Sequence, residues 1–264
     1  MERWIKEDAL KILVTGAAGY LGRGLVKPFL GKHELRLMDV VDWEAPAEKM
    51  IGSVADLEVC RRGMQGMDAV VIAHMATRQT GSYETPVLPF DINVKGTANL
   101  LFAAMEQKVE RICLISSAAA VGGYPPETFR TRDMPLQSGK DMYSLSKTCQ
   151  ELLTEHYHRH FGMRIAVQRV GWIVDADTCV TKYGEKLPHY NSGMVDPRDM
   201  GEAARLALEL PDLGYEIFYV AGSPGSEKCY DLTYAEQRLK WKPKFDFSNL
   251  PSLEEFKRRQ ENKA

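Results

Sequence analysis

The sequence predicts an α/β protein with a doubly wound parallel sheet and a smaller C-terminal region. Over the first two thirds of the 264 residues, short apolar runs alternate with helical stretches. Such runs are typical of strands that are buried on both faces of a parallel sheet. The last third breaks this alternation. We therefore predict a core over 1–170 and a smaller region over 171–264, interleaved with the core.

The elements follow in order along the chain. The predicted strands are 11–16, 34–40, 68–76, 111–118, 164–171 and 215–222. The predicted helices are 20–31, 56–64, 93–108, one that carries Tyr143 and ends at Gly162, 196–210 and 252–264. Gly162 is a good C-cap because glycine readily adopts the left-handed conformation. The stretch 172–196 holds few apolar residues and is predicted to be a long loop.

Composition narrows the class of protein. The formal net charge is −2 and no long run carries one sign, so neither nucleic acid nor an anionic membrane is favoured as a partner. No stretch reaches the roughly 20 apolar residues that cross a bilayer, and the charged N-terminus lacks the apolar core of a signal peptide. We therefore expect a cytoplasmic protein.

The metal-ligating residue types do not form a recognisable site. The five cysteines are scattered without CxxC spacing, which predicts neither a disulfide framework nor a zinc site, and Cys113 lies in an apolar run that predicts a core position. His156 and His160 have helical i, i+4 spacing, but no motif such as HExxH accompanies them. An exposed helix face is the preferred interpretation, and we predict no metal.

A glycine pattern follows the first strand directly and opens the first helix. In TGAAGYLG, Gly16, Gly19 and Gly22 have the spacing GxxGxxG. Glycine permits the tight turn, the close approach of backbone to a pyrophosphate, and close packing of the helix on the strand. The start of the helix adds unpaired N–H groups and the positive end of its dipole. This context predicts a Rossmann-type dinucleotide-binding loop.

Asp39 ends the second strand, 20 residues beyond Gly19. A carboxylate at this place accepts hydrogen bonds from the adenine ribose and repels a 2′-phosphate. No Arg or Lys follows in DVVDWEAP. Asp39 therefore favours NAD over NADP, although an aspartate in a turn after a strand is an alternative interpretation.

Three residues predict acid–base chemistry. In DMYSLSKTCQ, Tyr143 precedes Lys147 by one helical turn, and Ser117 ends a strand that borders the same crevice of a doubly wound sheet. A free tyrosine has a pKa near 10, and a neighbouring ammonium stabilises its phenolate. We expect Ser117 to hold a substrate oxygen, Tyr143 to take its proton as hydride leaves the carbon, and Lys147 to assist Tyr143.

These motifs, in this order, resemble the extended short-chain dehydrogenases/reductases, in the branch of sugar epimerases and dehydratases. The resemblance rests on TGAAGYLG, Asp39, the DL pair at 56–57, HMA at 74–76, NVKGT at 93–97, SSAA at 116–119 and YSLSK at 143–147, and it extends over about 10–205. It implies Ser117, Tyr143 and Lys147 as the catalytic triad. It also implies that Asn93 supports the helix and strand behind the site, which is compatible with an N-cap role for Asn93.

The resemblance implies a cofactor site and a substrate site. The residues of the implied NAD site are Gly16, Gly19, Tyr20, Leu21, Gly22, Asp39, Val40, Asp56, Leu57, His74, Met75, Ala76, Asn93, Ile115, Tyr143, Lys147 and Val170. The residues expected at the substrate are Thr77, Arg78, Ser117, Ala118, Tyr143, Gly171 and Lys182. Among these, Arg78 and Lys182 are cations suited to pair with a carboxylate, as is Lys186.

Within this branch the chain is most similar to the compact uronate dehydrogenases, which oxidise a free sugar acid at C1 with NAD. The shared features are LVTGAAG, the turn at 122–125, VQRVG and LKWKPK. Those enzymes carry Asn-His after the serine, where this chain has Ala118 and Ala119, and the loop 77–89 is about two residues longer here. The scaffold and hydride chemistry therefore carry over, but the uronate substrate does not.

Three functions remain open from the sequence. An NAD-dependent dehydrogenase of a small free sugar or sugar acid is favoured, an epimerase with tightly bound NAD is second, and a non-catalytic NAD sensor is third. The family resemblance implies a homodimer through the helices after NVKGT and around Tyr143. The apolar residues of these helices suit either that contact or the core: Leu100, Leu101, Ala104, Leu152 and Leu153.

Overall fold

A seven-stranded parallel sheet forms the centre of the molecule. The computed structural model describes residues 9–77 and 83–262. The strands are β1 (Lys11–Thr15), β2 (Glu34–Asp39), β3 (Glu48–Ile51), β4 (Ala69–Ile72), β5 (Arg111–Ile115), β6 (Arg164–Val170), β7 (Trp172–Asp175), β8 (Val180–Thr181), β9 (Met194–Val195) and β10 (Tyr215–Val220). The sheet order is β10-β6-β5-β4-β1-β2-β3, and every neighbouring pair is parallel. The predicted doubly wound sheet is confirmed, with its switch in strand order between β1 and β4.

Helices cover both faces of this sheet. They are α1 (Tyr20–Leu25), α2 (Leu57–Met64), α3 (Val87–Pro89), α4 (Gly96–Gln107), α5 (Met142–Phe161), α6 (Pro197–Glu209), α7 (Thr233–Leu239) and α8 (Leu253–Glu261). In β1, the side chains of Ile12 and Val14 join one core with α1 and α6, and Leu13 joins the other with α2 and α4. This alternation is the period of two that a strand imposes on its side chains.

Several helix boundaries differ from the predicted ones. The predicted helix 20–31 ends at Leu25 and gives way to a short 3-10 turn, Lys27–Phe29, which contains Pro28. Proline has no N–H to continue an α-helix. The predicted helix 93–108 begins instead with a π-helical turn, Phe90–Lys95. Asn93 therefore lies inside a helix, and its predicted N-cap role is wrong.

The predicted long loop at 172–196 is also wrong in part. It contains β7, β8 and β9, which form a small three-stranded sheet in the order β8-β7-β9. Three further elements, β3, α3 and α7, were not predicted. The helix around Tyr143 ends as expected, because Gly162 takes a left-handed conformation with φ 69° at the C-cap of α5.

Both parts of the chain contribute to the central sheet. The strand β10, from the last third, pairs with β6 along its whole length, Tyr215 opposite Ile165 and Val220 opposite Val170. The helix α6 packs on α1. The sheet therefore draws strands from each side of the predicted division near residue 170.

Most of the apolar residues considered for a dimer contact belong to the protein's own core. Leu100, Leu101 and Ala104 are completely buried, and Leu153 packs against the same core. Leu152 is 50% exposed. Only Leu152 of this set is left with much of its surface available for a second copy.

The positions of the histidines, of Cys113 and of the helices bear on metal binding and membrane insertion. Among residues 9–77 and 83–262, no group of three His, Cys, Asp or Glu side chains has the arrangement of a metal site, and His156 and His160 lie on an exposed face of α5. Cys113 is fully buried in the core. No helix in these same residues has the length and apolar character needed to span a bilayer.

Candidate active site

The glycine loop lies between β1 and α1, at the carboxyl edge of the sheet. Gly16 has φ 71°, and a Cβ there would lie 2.8 Å from the Cα of His74. A Cβ on Gly22 would lie 2.3 Å from the carbonyl oxygen of Gly16. A Cβ on Gly19 would meet only that same oxygen, at 3.4 Å. The chain's own packing therefore explains Gly16 and Gly22, whereas Gly19 leaves open space of the kind that a phosphate group needs.

Asp39, at the end of β2, is bound directly to this loop. Its Oδ2 accepts a hydrogen bond of 3.0 Å from the amide of Ala18, and its Oδ1 accepts one of 2.7 Å from the amide of Val40. Val40 and Ile51, which lies opposite Asp39 in β3, are more than half exposed. A carboxylate flanked by exposed apolar side chains suits an adenosine, whose ribose is polar and whose base is flat and apolar.

Asp56 and Leu57 lie at the start of α2. Asp56 is the N-cap of this helix, and its Oδ1 accepts hydrogen bonds from the amides of Glu58 and Val59. Its side chain is exposed, so the carboxylate borders solvent. Helix capping accounts for Asp56 in this structure without a ligand.

The segment after β4 is tied to α5 through Asn93. The completely buried Asn93 accepts a hydrogen bond of 2.7 Å from the amide of Ala76 and donates one of 2.9 Å to the hydroxyl of Ser146. Ser146 in turn donates to the carbonyl oxygen of Tyr143. This chain of bonds connects the HMA segment to the first turn of α5, as the supporting role predicted for Asn93 requires.

His74, in the same segment, is buried as a neutral imidazole. Its Nδ1 lies 3.0 Å from the hydroxyl of Thr15 at the end of β1. Burial, together with the charge on Lys147, lowers the pKa of His74 to about 3. His74 is therefore suited to hold β1 and β4 together and not to exchange a proton near neutral pH.

Lys147 is buried beneath Tyr143. Its ammonium donates a hydrogen bond of 2.9 Å to the carbonyl oxygen of Ile115 and lies 6.0 Å from the centre of the Tyr143 ring. Burial is the main cause that lowers the pKa of Lys147 to about 7, and the ammonium of Lys182 adds to it, while Glu151 opposes it. The ring of Tyr143 also contacts the edge of Tyr83, with 5.5 Å between centroids.

Ser117 lies just beyond β5, two residues after the carbonyl that Lys147 binds. Its hydroxyl accepts a hydrogen bond of 3.2 Å from the amide of Ala119 and lies 3.4 Å from the carbonyl oxygen of Val170 at the end of β6. The 3-10 turn Ala118–Val121 that follows places Ala118 beside it, half-buried. The three predicted catalytic residues thus all lie at the carboxyl ends of β5 and β6.

A buried ion pair behind these residues was not predicted. Glu151, one turn beyond Lys147 on α5, accepts a hydrogen bond of 2.5 Å from Ser116 and one of 2.9 Å from Arg169, and both charged side chains are 1% exposed. Arg169 lies in the apolar strand AVQRV, and a charge in a buried strand needs a partner. That signal was present in the sequence but did not identify Glu151.

Of the residues predicted to bind the substrate, Lys182 lies near Tyr143, whereas others have a structural explanation or are not described. The ammonium of Lys182, which follows β8, lies 5.8 Å from the centre of the Tyr143 ring and 3.8 Å from the sulfur of Met75. A Cβ on Gly171 would lie 2.3 Å from the carbonyl oxygen of Gly193, so packing accounts for that glycine. Thr77 is exposed, and Arg78 lies outside the described residues.

Comparison with known proteins identifies the family. The model of the NAD dependent epimerase/dehydratase family matches residues 12–174. This chain belongs to that family. Its cofactor is NAD, and it is an NAD-dependent enzyme of the dehydrogenase/epimerase type. The open space at Gly19 and the position of Asp39 beside the loop fit this cofactor.

Two relatives and one solved structure that are similar to this chain are named as sugar dehydrogenases. The NAD-dependent glucose-6-phosphate dehydrogenase of Haloferax volcanii is 26% identical over 88% of this chain and 92% of its own length. The L-arabinose 1-dehydrogenase (NAD(P)(+)) of the same organism is 25% identical over 89% of this chain and 96% of its own length. The crystal structure of glucuronic acid dehydrogenase from Chromohalobacter salexigens has a TM-score of 0.74 and 25% identity, and the match covers 97% of this chain and 90% of that one.

Proposed function

We propose that this protein is an NAD-dependent dehydrogenase that oxidises a hydroxyl group of a small free sugar or sugar acid. The observation that carries the proposal is the buried Lys147, held by the carbonyl oxygen of Ile115 directly beneath the ring of Tyr143. An ammonium at this place stabilises a phenolate, which makes Tyr143 a base at the mouth of the cofactor site. The relatives named above act on sugars or sugar derivatives.

The chain's own residues divide the work of the reaction. NAD, when bound, accepts the hydride that leaves the carbon being oxidised. Tyr143 takes the proton of the substrate hydroxyl, so that the alcohol becomes a carbonyl. Ser117 accepts a hydrogen bond from the amide of Ala119, and its hydroxyl hydrogen turns from the carbonyl oxygen of Val170 to the same substrate oxygen. Lys147 supplies positive charge to the phenolate of Tyr143 before the proton arrives.

The position of Lys182 supports a negatively charged group on the substrate. Its ammonium lies over the Tyr143 ring and beside Met75. A carboxylate or phosphate near the reacting carbon would pair with this ammonium. Two of the relatives are named for anionic sugars, glucose 6-phosphate and glucuronic acid. Ala118 and Ala119 offer no polar side chain next to Ser117, so Lys182 is the more suitable residue to bind a polar substrate group.

The test compares matched sugars and matched variants. The purified protein is incubated with NAD and with neutral aldoses, their uronic acids and their phosphates, and NADH is followed by absorbance. We expect turnover with at least one of these classes, and a loss of at least a hundredfold in kcat for Tyr143→Phe because the base is removed.

The control is Tyr234→Phe, which also removes one phenol hydroxyl. That hydroxyl donates a hydrogen bond to Glu216, the second residue of β10, at the amino end of the strand, whereas the site lies at the carboxyl ends of the strands. Turnover equal in Tyr143→Phe and the wild type would contradict the proposal. Interconversion of sugar isomers without net NADH would favour the epimerase.

A further inference from the structure

The hydroxyl of Tyr20 joins two parts of the chain that are far apart in sequence. It donates a hydrogen bond of 2.6 Å to the carbonyl oxygen of Val180 and accepts one of 2.5 Å from the amide of Asp175. Asp175 and Val180 are opposite each other in the antiparallel pair of β7 and β8. One phenol hydroxyl thus satisfies two backbone groups at the end of this hairpin.

Each end of this link belongs to a different half of the site. Tyr20 directly follows Gly19 and begins α1, so it belongs to the loop that fits the pyrophosphate of NAD. The hairpin ends at Thr181, and the next residue is Lys182, whose ammonium lies over Tyr143. Tyr20 therefore connects the cofactor loop with Lys182, a cation beside the ring of Tyr143.

The hydrogen bonds of the Tyr20 hydroxyl persist near neutral pH, and they are not the hairpin's sole anchors. The Tyr20 ring is half-buried, and burial together with nearby carboxylates raises its pKa to about 12, so the hydroxyl stays protonated and keeps its donor. The hairpin has other anchors, because the amide of Ala176 donates to Asp196 and Asn249 donates to the carbonyl oxygen of Ala176. Loss of the Tyr20 hydroxyl would therefore loosen the tip that carries Lys182 without unfolding the hairpin.

We propose that Tyr20 is a positioning residue that clasps the β7–β8 hairpin onto the cofactor loop and so holds Lys182 over Tyr143. When the cofactor loop is well ordered, the position of Lys182, which would contact the substrate, is thereby fixed as well. The kinetic part of this inference rests on the proposed function, because it requires a substrate with a negative group. The structural part does not, since it concerns only how firmly residues 180–183 are held.

The first test is limited proteolysis with trypsin, which cleaves after Lys182. Cleavage at this bond is measured by mass spectrometry in the wild type, in Tyr20→Phe and in Tyr234→Phe, each with and without NAD. We expect Tyr20→Phe to be cut about tenfold faster than the wild type, because two backbone groups lose their partner. NAD should protect the wild type at this bond and protect Tyr20→Phe much less, while Tyr234→Phe behaves as the wild type.

The second test is kinetic and uses the best anionic substrate found. Tyr20→Phe is expected to raise the KM for that substrate about tenfold, which is a larger loss than any change in kcat or in the Kd for NAD, whereas Tyr234→Phe should leave all three values as in the wild type. General destabilisation would not produce this division. Equal cleavage of Tyr20→Phe and the wild type after Lys182 would overturn the inference. So would a loss of NAD affinity as large as the loss in kcat/KM. If no sugar is turned over, the proposed function fails, and the cleavage rates still decide whether Tyr20 is a clasp.

Discussion

Burial and charge oppose each other at Lys147. The side chain is 4% exposed, and its ammonium donates a hydrogen bond to the carbonyl oxygen of Ile115. An ammonium is costly to bury, which is why the pKa of Lys147 falls from 10.5 to about 7. The ammonium that bears this cost lies 6.0 Å from the centre of the Tyr143 ring.

Replacing Lys147 should change how stability depends on pH. Between about pH 7 and 10.5 the lysine is protonated in the unfolded chain but largely neutral in the folded protein. The free energy of unfolding therefore rises with pH across this window. Below pH 7 the lysine is charged in both states, and its burial destabilises the folded protein most. Lys147→Met removes this penalty but leaves the carbonyl of Ile115 without its donor. We expect Lys147→Met to be more stable than the wild type by about 2 kcal/mol at pH 6, and equal or less stable at pH 10.

The free energy of unfolding, obtained from urea denaturation at several pH values without added NAD, checks this prediction. Lys186→Met serves as the control, because Lys186 is exposed and its replacement should not change the pH profile. A difference between Lys147→Met and the wild type that stays constant from pH 6 to pH 10 would contradict the prediction.

At the scale of elements, the contact between α1 and α6 determines how closely the cofactor helix lies against the rest of the protein. A Cβ on Gly201 of α6 would lie 2.1 Å from the carbonyl oxygen of Leu25, the last residue of α1. A Cβ on Gly24 would lie 2.4 Å from the Cβ of Pro197. The two helices thus approach through glycines, and a side chain at either position would push them apart.

Gly201→Ala tests this close approach. Alanine favours a helix over glycine by about 1 kcal/mol, but the clash here is with backbone and not with a flexible side chain. We therefore expect a net destabilisation of about 2–3 kcal/mol and a fall in Tm of about 5–10 °C. The control is Gly214→Ala, since a Cβ on Gly214 meets nothing within 4 Å and this residue does not have positive φ. Equal Tm values for the two variants would show that α1 and α6 can separate without cost.

At the scale of the whole molecule, the central sheet makes one unit of the two predicted regions. Strand β10 extends the sheet at β6, and α6 supplies Met200, Ala203 and Ala204 to the same core as β1. The buried Trp241 donates its indole N–H to the carbonyl oxygen of Asp199 on α6, which attaches the chain beyond α7 to this core. Neither part of the chain can bury its apolar face without the other.

Unfolding should therefore occur in one cooperative step. We expect the loss of helix and strand, followed by far-ultraviolet circular dichroism, to coincide with the change in tryptophan fluorescence in urea. The calorimetric and van't Hoff enthalpies of the transition should agree as well. Two separated transitions, with the C-terminal part melting first, would instead support independent domains divided near residue 170.

How much was predictable from the sequence depended on how local each signal was. The long buried strands and the helix α5 were found because their apolar period and the cap at Gly162 lie within the element itself. Strands β7, β8 and β9 were missed because they are two to four residues long and exist only through pairing with one another. β3 was missed because its EKMI sequence is largely exposed at the sheet edge, with too little pattern to distinguish it from a loop.

The same distinction applies to the candidate site. The glycine loop, Asp39, Ser117, Tyr143 and Lys147 were proposed from motifs that are short in sequence, and the fold places them along one edge of the sheet. The sequence by itself determined the fold class, the family and the residue types available for chemistry. Only the tertiary structure decided that Lys182 faces Tyr143, that Tyr20 binds β7 and β8, and that Glu151 pairs with Arg169. The physical reason is that a motif records contacts among neighbours in the chain, whereas a buried charge or a shared hydroxyl is satisfied by whichever distant group the packing brings to it.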